Sequence, residues 1–333
     1  MVPTRYASSD HATERNAILQ SVTTPEAQDG ATQVIGVDVG GTKVLAAVVS
    51  HDGSLGARIE RTTDVSSEQA HLAMLDGMVE ELRAGDPDVA ALGFGLPSRI
   101  DQRRGRAVAS VNVPLTDVDF RDRMRERHGL PVGIDNDANA AAIAEWRGGA
   151  ARGAQDVVML TLGTGVGGGL ILGGAPYRGA TGSGAELGHV VVELDGLPCR
   201  CGGRGHLESF ATGLAADRVA RERIGAESDA HDLVRRGRAG EPEAVDALAG
   251  IGRYVGAAIA SFVNALEPEL IVIGGGFGEA AGDLLLGSAR EVLARDGLSP
   301  GRESVRIVEA QLGTDAGVIG AGMLAFEALG PVA

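Results

Sequence analysis

The chain has 333 residues and a formal net charge of −15, from 45 acidic and 30 basic side chains. Without a sustained Lys/Arg run it lacks the clustered cations that displace counterions from nucleic acid. An apolar share of 44%, 51 glycines and only 3% aromatics describe a globular core of Ala, Val and Leu, whose backbone segments approach one another or a ligand closely.

Residues 1–32 are polar, mixed in charge and without sustained periodicity, which reads as a largely disordered tail. Within it, residues 15–22 could form a turn or two of helix, too short for a DNA-binding domain. The first strand is expected at 34–39 and a second at 44–49, joined as a hairpin by a glycine turn. A helix over 66–82 follows, with Ser66 and Gln69 at capping-box spacing and Leu72, Leu75, Val79 and Leu82 on its buried stripe. Short strands are predicted at 89–92 and 132–134, then a helix at 139–146. The pattern restarts with a strand at 157–162, a glycine turn at 163–168 and a strand at 169–172. Last come a long helix at 246–266, a buried strand at 270–273 and a helix at 316–329 with a face of small residues. Apolar runs stop short of the ~20 residues of a membrane helix, and the N-terminus lacks a signal-peptide core. A cytoplasmic location is expected, with neither nucleic acid nor membrane as partner.

Asp38-Val-Gly-Gly-Thr-Lys43 sets an acid at the end of a buried strand beside two glycines. Glycines permit the positive φ that turns successive N–H groups toward a phosphate, and Asp38 can hold Mg²⁺ or its water. A plain hairpin turn is the other reading. Gly163-Thr-Gly-Val-Gly-Gly168 matches G-x-G-x-x-G literally, but the dinucleotide fingerprint needs a helix after the turn. A strand follows here, so a dinucleotide oxidoreductase is disfavoured. No Walker sequence surrounds Lys43.

Asp135-Asn-Asp-Ala-Asn139 lies between a strand and an Ala-rich helix. One helix cap needs one such residue; four polar residues in five positions exceed that need and suit a sugar site with one carboxylate free to take a proton. His189, Cys199, Cys201 and His206 place two thiols and two imidazoles within 18 residues, which suits a tetrahedral zinc better than a disulfide or surface histidines.

Taken in order, Asp38 to Lys43, Leu162 to Gly168 and Ile273-Gly-Gly-Gly276 resemble the phosphate-1, phosphate-2 and adenosine elements of the actin/hexokinase superfamily. More narrowly, the chain resembles the ROK family (repressors, open reading frames, kinases) over about residues 33–329. The resemblance implies a two-lobed α/β fold, ribonuclease H-like and duplicated, with an interlobe cleft. The N-terminal lobe would be 33–150 plus 314–330, and the C-terminal lobe 151–313 with a zinc-binding loop. It implies an ATP-dependent kinase that phosphorylates a hydroxyl, expected at O6, of glucose or a related hexose.

ATP and Mg²⁺ would lie against Asp38, Gly40, Gly41, Thr42, Lys43, Gly163, Thr164, Gly165, Gly274, Gly275 and Gly276. Asp137 would be the general base, while Asn112, Asn136, Glu186, His189 and Glu208 would bind sugar hydroxyls and Asp101 would shape the same wall. Structural Zn²⁺ would be held by His189, Cys199, Cys201 and His206, the last standing where the family has a third Cys. Ser98 stands where the family usually has a Gly against the sugar; together with His206 this departure makes an amino or N-acyl hexose a rival substrate. Polyphosphate stays open as donor. A ROK-type sugar-sensing repressor would need a winged helix before the first strand. A homo-oligomer, dimer or tetramer, is expected, as is lobe closure on sugar binding.

Overall fold

The computed structural model describes residues 32–330, so the helical turn expected at 15–22 lies outside them. The chain opens with β1 (Gln33–Val39), β2 (Lys43–Ser50), β3 (Leu55–Thr62), α1 (Glu68–Gly85) and β4 (Leu92–Leu96). A small antiparallel sheet follows, of β5 (Ser98–Asp101), β6 (Arg106–Ser110) and β7 (Thr116–Val118), then α2 (Phe120–His128), β8 (Val132–Asn136) and α3 (Asp137–Gly148). The first large sheet has the order β3-β2-β1-β4-β8, with β1, β4 and β8 parallel.

A second hairpin, β9 (Val157–Leu162) and β10 (Val166–Leu172), begins the other half, followed by β11 (Ala175–Pro176), α4 (Gly213–Arg223), α5 (Ala230–Arg238) and α6 (Pro242–Leu266). The chain ends with β12 (Leu270–Gly274), α7 (Gly276–Ala281), α8 (Asp283–Asp296), α9 (Gly301–Ser304), β13 (Arg306–Glu309) and α10 (Ala316–Ala328). Its sheet runs β11-β10-β9-β12-β13.

Both sheets are covered on both faces, which is why their central strands read as unbroken apolar runs. In the first, Ile35, Val37, Leu92, Phe94 and Ile134 pack with Leu72, Leu75 and Met78 of α1. The opposite face carries a row of glycines in register, Gly36, Gly93 and Gly133. Helix α10 lies directly on that row: a Cβ on Gly93 would sit 1.8 Å from Ala321 O, and one on Gly133 2.1 Å from Leu324 O. Of the small residues on α10, Ala321 and Gly322 therefore serve backbone-to-sheet contact, while Gly320 packs on Ala140 of α3 and Gly317 on the Asp38 carboxylate. In the second half α6 packs on α8. Among the described helices α6 alone has the length and apolar content to cross a membrane, contrary to the sequence expectation; over half of that stretch is buried inside the protein.

The chain passes from one sheet to the other twice, after α3 and after β13. Glu145, fully buried on α3, ties the passages together: one carboxylate oxygen accepts from Ala150 N at 2.7 Å, the other from Gln311 N and Leu312 N at 2.9 and 2.8 Å.

Several boundaries differ from expectation. The α1 cap is Ser67, whose side chain accepts from Ala70 N, because Ser66 is held in a turn by Asp64. The strand expected at 89–92 begins at Leu92 and continues to Leu96. Helix α3 starts at Asp137, two residues early, and α6 starts at Pro242, where proline suits the first turn. Strand β10 starts at Val166, so only residues 163–165 form its turn.

Candidate active site

The end of β1 and the end of β8 flank β4, and the register sets Asp38 opposite Gly95 and Gly95 opposite Asp135. Gly95 keeps the space between them open. A Cβ there would lie 3.7 Å from Asp38 Oδ1 and 3.5 Å from Asp137 Cα. Asp137 is the first residue of α3, and its Oδ1 accepts from Ala138 N at 2.9 Å. Its second oxygen has no hydrogen-bond partner among the described residues.

Burial pushes Asp137 up to about 7; the Asp38 charge adds to the rise, the amide of Ala138 opposes it, and Glu186 adds a smaller part. Burial likewise pushes Asp38 up to about 6, against the pull of Lys43. Glu186 is also raised, by burial first; His189 and Arg99 oppose the shift, and Glu208 adds to it. Carboxylates from three segments thus converge on one place, and the most perturbed of them has an open oxygen. Such a group can take a proton near neutral pH.

Asn136 caps α3: its Oδ1 accepts from Ala138 N and Asn139 N, and its Nδ2 reaches Ser98 O at 3.4 Å. Ser98 itself, expected against the sugar, is 3% exposed and donates to Ala109 O at 2.9 Å. That expectation is corrected, because the hydroxyl is consumed by the β5–β6 pairing. Asp101 accepts from Arg103 N and Arg104 N and so closes a turn. Asn112 lies beside Gly41, where a Cβ would sit 3.1 Å from its own Cβ. Lys43 is directed away from the acids and pairs with Glu60 at 2.9 Å.

The glycine turns correct a second expectation. Gly40, Gly41, Gly163, Gly165, Gly274 and Gly276 do not adopt positive φ; Gly275 does, at 84°. Most of them are needed for space. A Cβ on Gly40 would meet Lys43 O at 2.8 Å, and one on Gly165 would meet Glu208 at 2.9 Å. Gly167 and Gly169 lie under α3, against Ala138 and Ala142. They let the helix that begins with Asp137 sit on β10. Gly163 O accepts from Gly213 N, which draws the start of α4 to the turn.

Between that turn and Gly276 opens a cavity of about 760 Å³, lined also by Thr164 and by Asp217, His231, Arg235 and Arg238 of α4 and α5. The last four were missed in the sequence. The Arg235/Arg238 spacing on one helical face was the available signal, but without the cavity it reads as a solvated surface.

Flanked by single 3-10 turns at Leu187–His189 and Leu207–Ser209, the His/Cys loop brings its four ligand atoms within 4.8 Å of one another. Cys201 Sγ is 3.2 Å from His206 Nδ1 and Cys199 Sγ 3.7 Å from His189 Nδ1. Tetrahedral zinc, with bonds of about 2.0–2.3 Å, needs separations of this size, so two thiols and two imidazoles here can hold a metal. The other nitrogen of His189 faces Glu186 at 3.8 Å. Glu208 Oε2 accepts from Val166 N and its Oε1 faces Cys199 Sγ, joining the loop to β10.

A duplicated, two-lobed α/β fold with acids gathered beside a glycine hairpin defines the actin/hexokinase-like class. Residues 34–328 match the ROK family, and the chain belongs to it. A glucokinase from Streptomyces coelicolor is 34% identical over 88% of this chain and 97% of its own. A kanosamine kinase from Amycolatopsis mediterranei is 35% identical over 73% and 80%. Among solved structures, a ROK family glucokinase from Streptomyces griseus in complex with glucose and AMPPNP superposes with a TM-score of 0.78. It is 34% identical and covers 89% of this chain and 99% of that one.

Proposed function

We propose that this protein is an ATP-dependent hexose kinase, with glucose as substrate and Asp137 as general base. The observation that carries the reading is the open oxygen of Asp137, on a carboxylate raised to about 7 at the meeting point of both halves. In the reaction the sugar hydroxyl oxygen bonds the γ-phosphorus, the bond to ADP breaks, and the hydroxyl proton passes to Asp137. Phosphoryl transfer has a loose transition state, so alignment and charge neutralisation supply most of the acceleration. The base adds ~10²–10⁴-fold.

The cavity between Gly163 and Gly276 takes the adenosine, and the turns at 40–42 and 163–165 take the phosphates. Asp38 makes no ion pair among the described residues, which fits Mg²⁺ there; when bound, the ion neutralises phosphate charge. The Cys₂His₂ loop fits structural Zn²⁺, and His189 reaching from that loop to Glu186 would fix the sugar-binding acid. We assign lobes of 33–150 with 314–330, and of 151–313, closing on sugar, and a cytoplasmic homo-oligomer.

The rival substrate, an amino or N-acyl hexose, rests on Ser98 and His206 together. The Ser98 hydroxyl points into the β5–β6 pairing, which favours the plain hexose, although the kanosamine kinase relative keeps amino sugars in the test panel. The test is ADP release with ATP or polyphosphate across glucose, mannose, glucosamine and N-acyl hexoses. Glucose-dependent ADP is expected; its absence for every sugar sinks the kinase reading.

A further inference from the structure

The segment between β11 and Glu186 leaves the second sheet and lies against the small β5–β6–β7 sheet. Gln102 N donates to Thr181 O at 3.1 Å, and Ser183 Oγ donates to Ile100 O at 3.2 Å. Gly182 packs so closely on Gln102 that a Cβ would lie 2.5 Å from its Cγ. At the start of the segment, Arg178 donates from Nε to Asp135 Oδ2 at 2.5 Å and from Nη2 to Glu327 Oε2 at 3.0 Å. Asp135 is fully buried, and its other oxygen accepts from Asn136 N at 2.8 Å and Asn139 Nδ2 at 3.0 Å. The residue before the Asn136–Asp137 pair is thereby bonded to α3 on one side and to this segment on the other.

Little else holds this segment. Gly182 and Leu187 are buried, but no large apolar side chain between them is, and Gly179, Gly182 and Ala185 take φ of 73°, 102° and 64°. A stretch with few apolar contacts and unusual backbone opens easily unless polar bonds fix it. Arginine suits that task, because its planar fork serves two carboxylates at once where an ammonium offers a single point charge.

We propose that Arg178 is a positioning residue for the sugar: by bonding Asp135 and Glu327 it straps residues 177–186 against the first half and presents Glu186 to the sugar that Asp137 deprotonates. The proposal deepens the kinase reading and rests on it.

The test compares Arg178→Ala, Arg178→Lys, Glu327→Gln and the double variant Arg178→Ala/Asp135→Asn. Sugar and ATP are varied separately, and hydrogen exchange is followed at residues 179–186. Arg178→Ala leaves a buried carboxylate unpaired, a strongly destabilising change, and the double variant removes that charge. A misplaced contact in a closed site costs up to ~10²-fold; sugar KM is expected to rise about tenfold or more in the double variant. ATP KM should stay within about twofold, thermal stability should be close to wild type and exchange in the segment faster. Arg178→Lys should recover part of the sugar KM, and Glu327→Gln should change it less than the double variant does. A structural role alone would lower stability and active fraction without separating the two KM values. Wild-type turnover with an unchanged sugar KM in the Arg178 variants overturns this proposal alone. Absence of hexose-dependent turnover in the wild type overturns the kinase reading and this one with it.

Discussion

The hairpins β1–β2 and β9–β10 open the two halves in the same way, yet their chemistry differs. At the end of β1 stands Asp38; at the corresponding place on β9, before Leu162, stands Thr161. The glycine contacts differ too. In the first half three strands each contribute a glycine, and α10 presses backbone on backbone. In the second, Gly167 and Gly169 belong to one strand and meet the side chains of Thr161, Ala138 and Ala142. At these contacts the first half is bounded by backbone and its hairpin ends in an acid, whereas Gly167 and Gly169 of the second meet mostly side chains and its hairpin ends in a hydroxyl. Under the proposed kinase reading a repeated architecture divides the work: one sheet would supply the acid beside the phosphates, and the other backbone donors and a seat for the helix that begins with Asp137.

The largest effect expected is at the base. Asp137→Asn should lower kcat by ~10²–10⁴-fold with the fold intact, measured by coupled ADP release and circular dichroism. The same change should stabilise the free protein above neutral pH. Because the folded Asp137 titrates near 7 and an unfolded Asp near 3.8, the folded state binds more protons between those values. Stability from this group therefore falls as pH rises through that window. The melting-temperature difference between Asp137→Asn and wild type should be near zero at pH 4 and reach on the order of a few degrees by pH 8.

Two glycine substitutions sharpen the contrast between halves. Gly93→Ala drives a methyl into Ala321 O at 1.8 Å; both sides are backbone, so we expect failure to fold or a loss above ~4 kcal/mol. Gly167→Ala meets Thr161 Oγ1 at 2.5 Å and Ala138 Cβ at 2.6 Å, a strand hydroxyl that can rotate and a methyl that shifts with α3. Its cost should be about 1–3 kcal/mol, accompanied by a fall in kcat, because Ala138 follows Asp137 directly. Equal stability losses at the two sites would erase the distinction between backbone contacts in one half and side-chain contacts in the other.

Metal removal probes the second half. Elemental analysis should find one zinc per chain, and Cys199→Ser or chelation should raise the sugar KM about tenfold, the lower end of what loss of a metal-site partner costs. ATP KM should be unaffected. His206→Cys should keep the metal. A zinc-free preparation with full sugar affinity would reduce the loop to a structural ornament.

Much of this was legible in the sequence because it depends on local chemistry. Unbroken apolar runs marked β1, β9 and β12, and the fourfold His/Cys grouping foretold its own geometry. What stayed hidden depended on register. Ser98 reads as a residue against the sugar until the β5–β6 pairing shows its hydroxyl donating to Ala109 O. Strand β3, mostly exposed with the pattern of an edge strand, carries no apolar signal. Arg178 reads as an ordinary loop cation, since its two acids come from residues 43 and 149 positions away. Asn136 takes the capping role that the motif also allowed, accepting from Ala138 N and Asn139 N.

The smallest effect tests the electrostatics between halves. Asp38 belongs to the first hairpin and Glu186 to the loop after the second, and both charges raise Asp137, with Asp38 the stronger. Removing either charge must let Asp137 ionise at lower pH, since a like charge nearby disfavours the anion. In a carboxyl carbon titration of the ligand-free protein, Asp38→Asn should move the Asp137 midpoint down by on the order of one pH unit or less. Glu186→Gln should move it in the same direction by a smaller amount. The acid limb of kcat/KM, which reports the free enzyme's base, should fall near pH 7 in the wild type and shift downward in Glu186→Gln. Burial is the largest cause of the raised value, so neither variant should return Asp137 to the ordinary carboxylate range. A full return in Asp38→Asn would mean that charge from the first half, and not enclosure by both, sets the base.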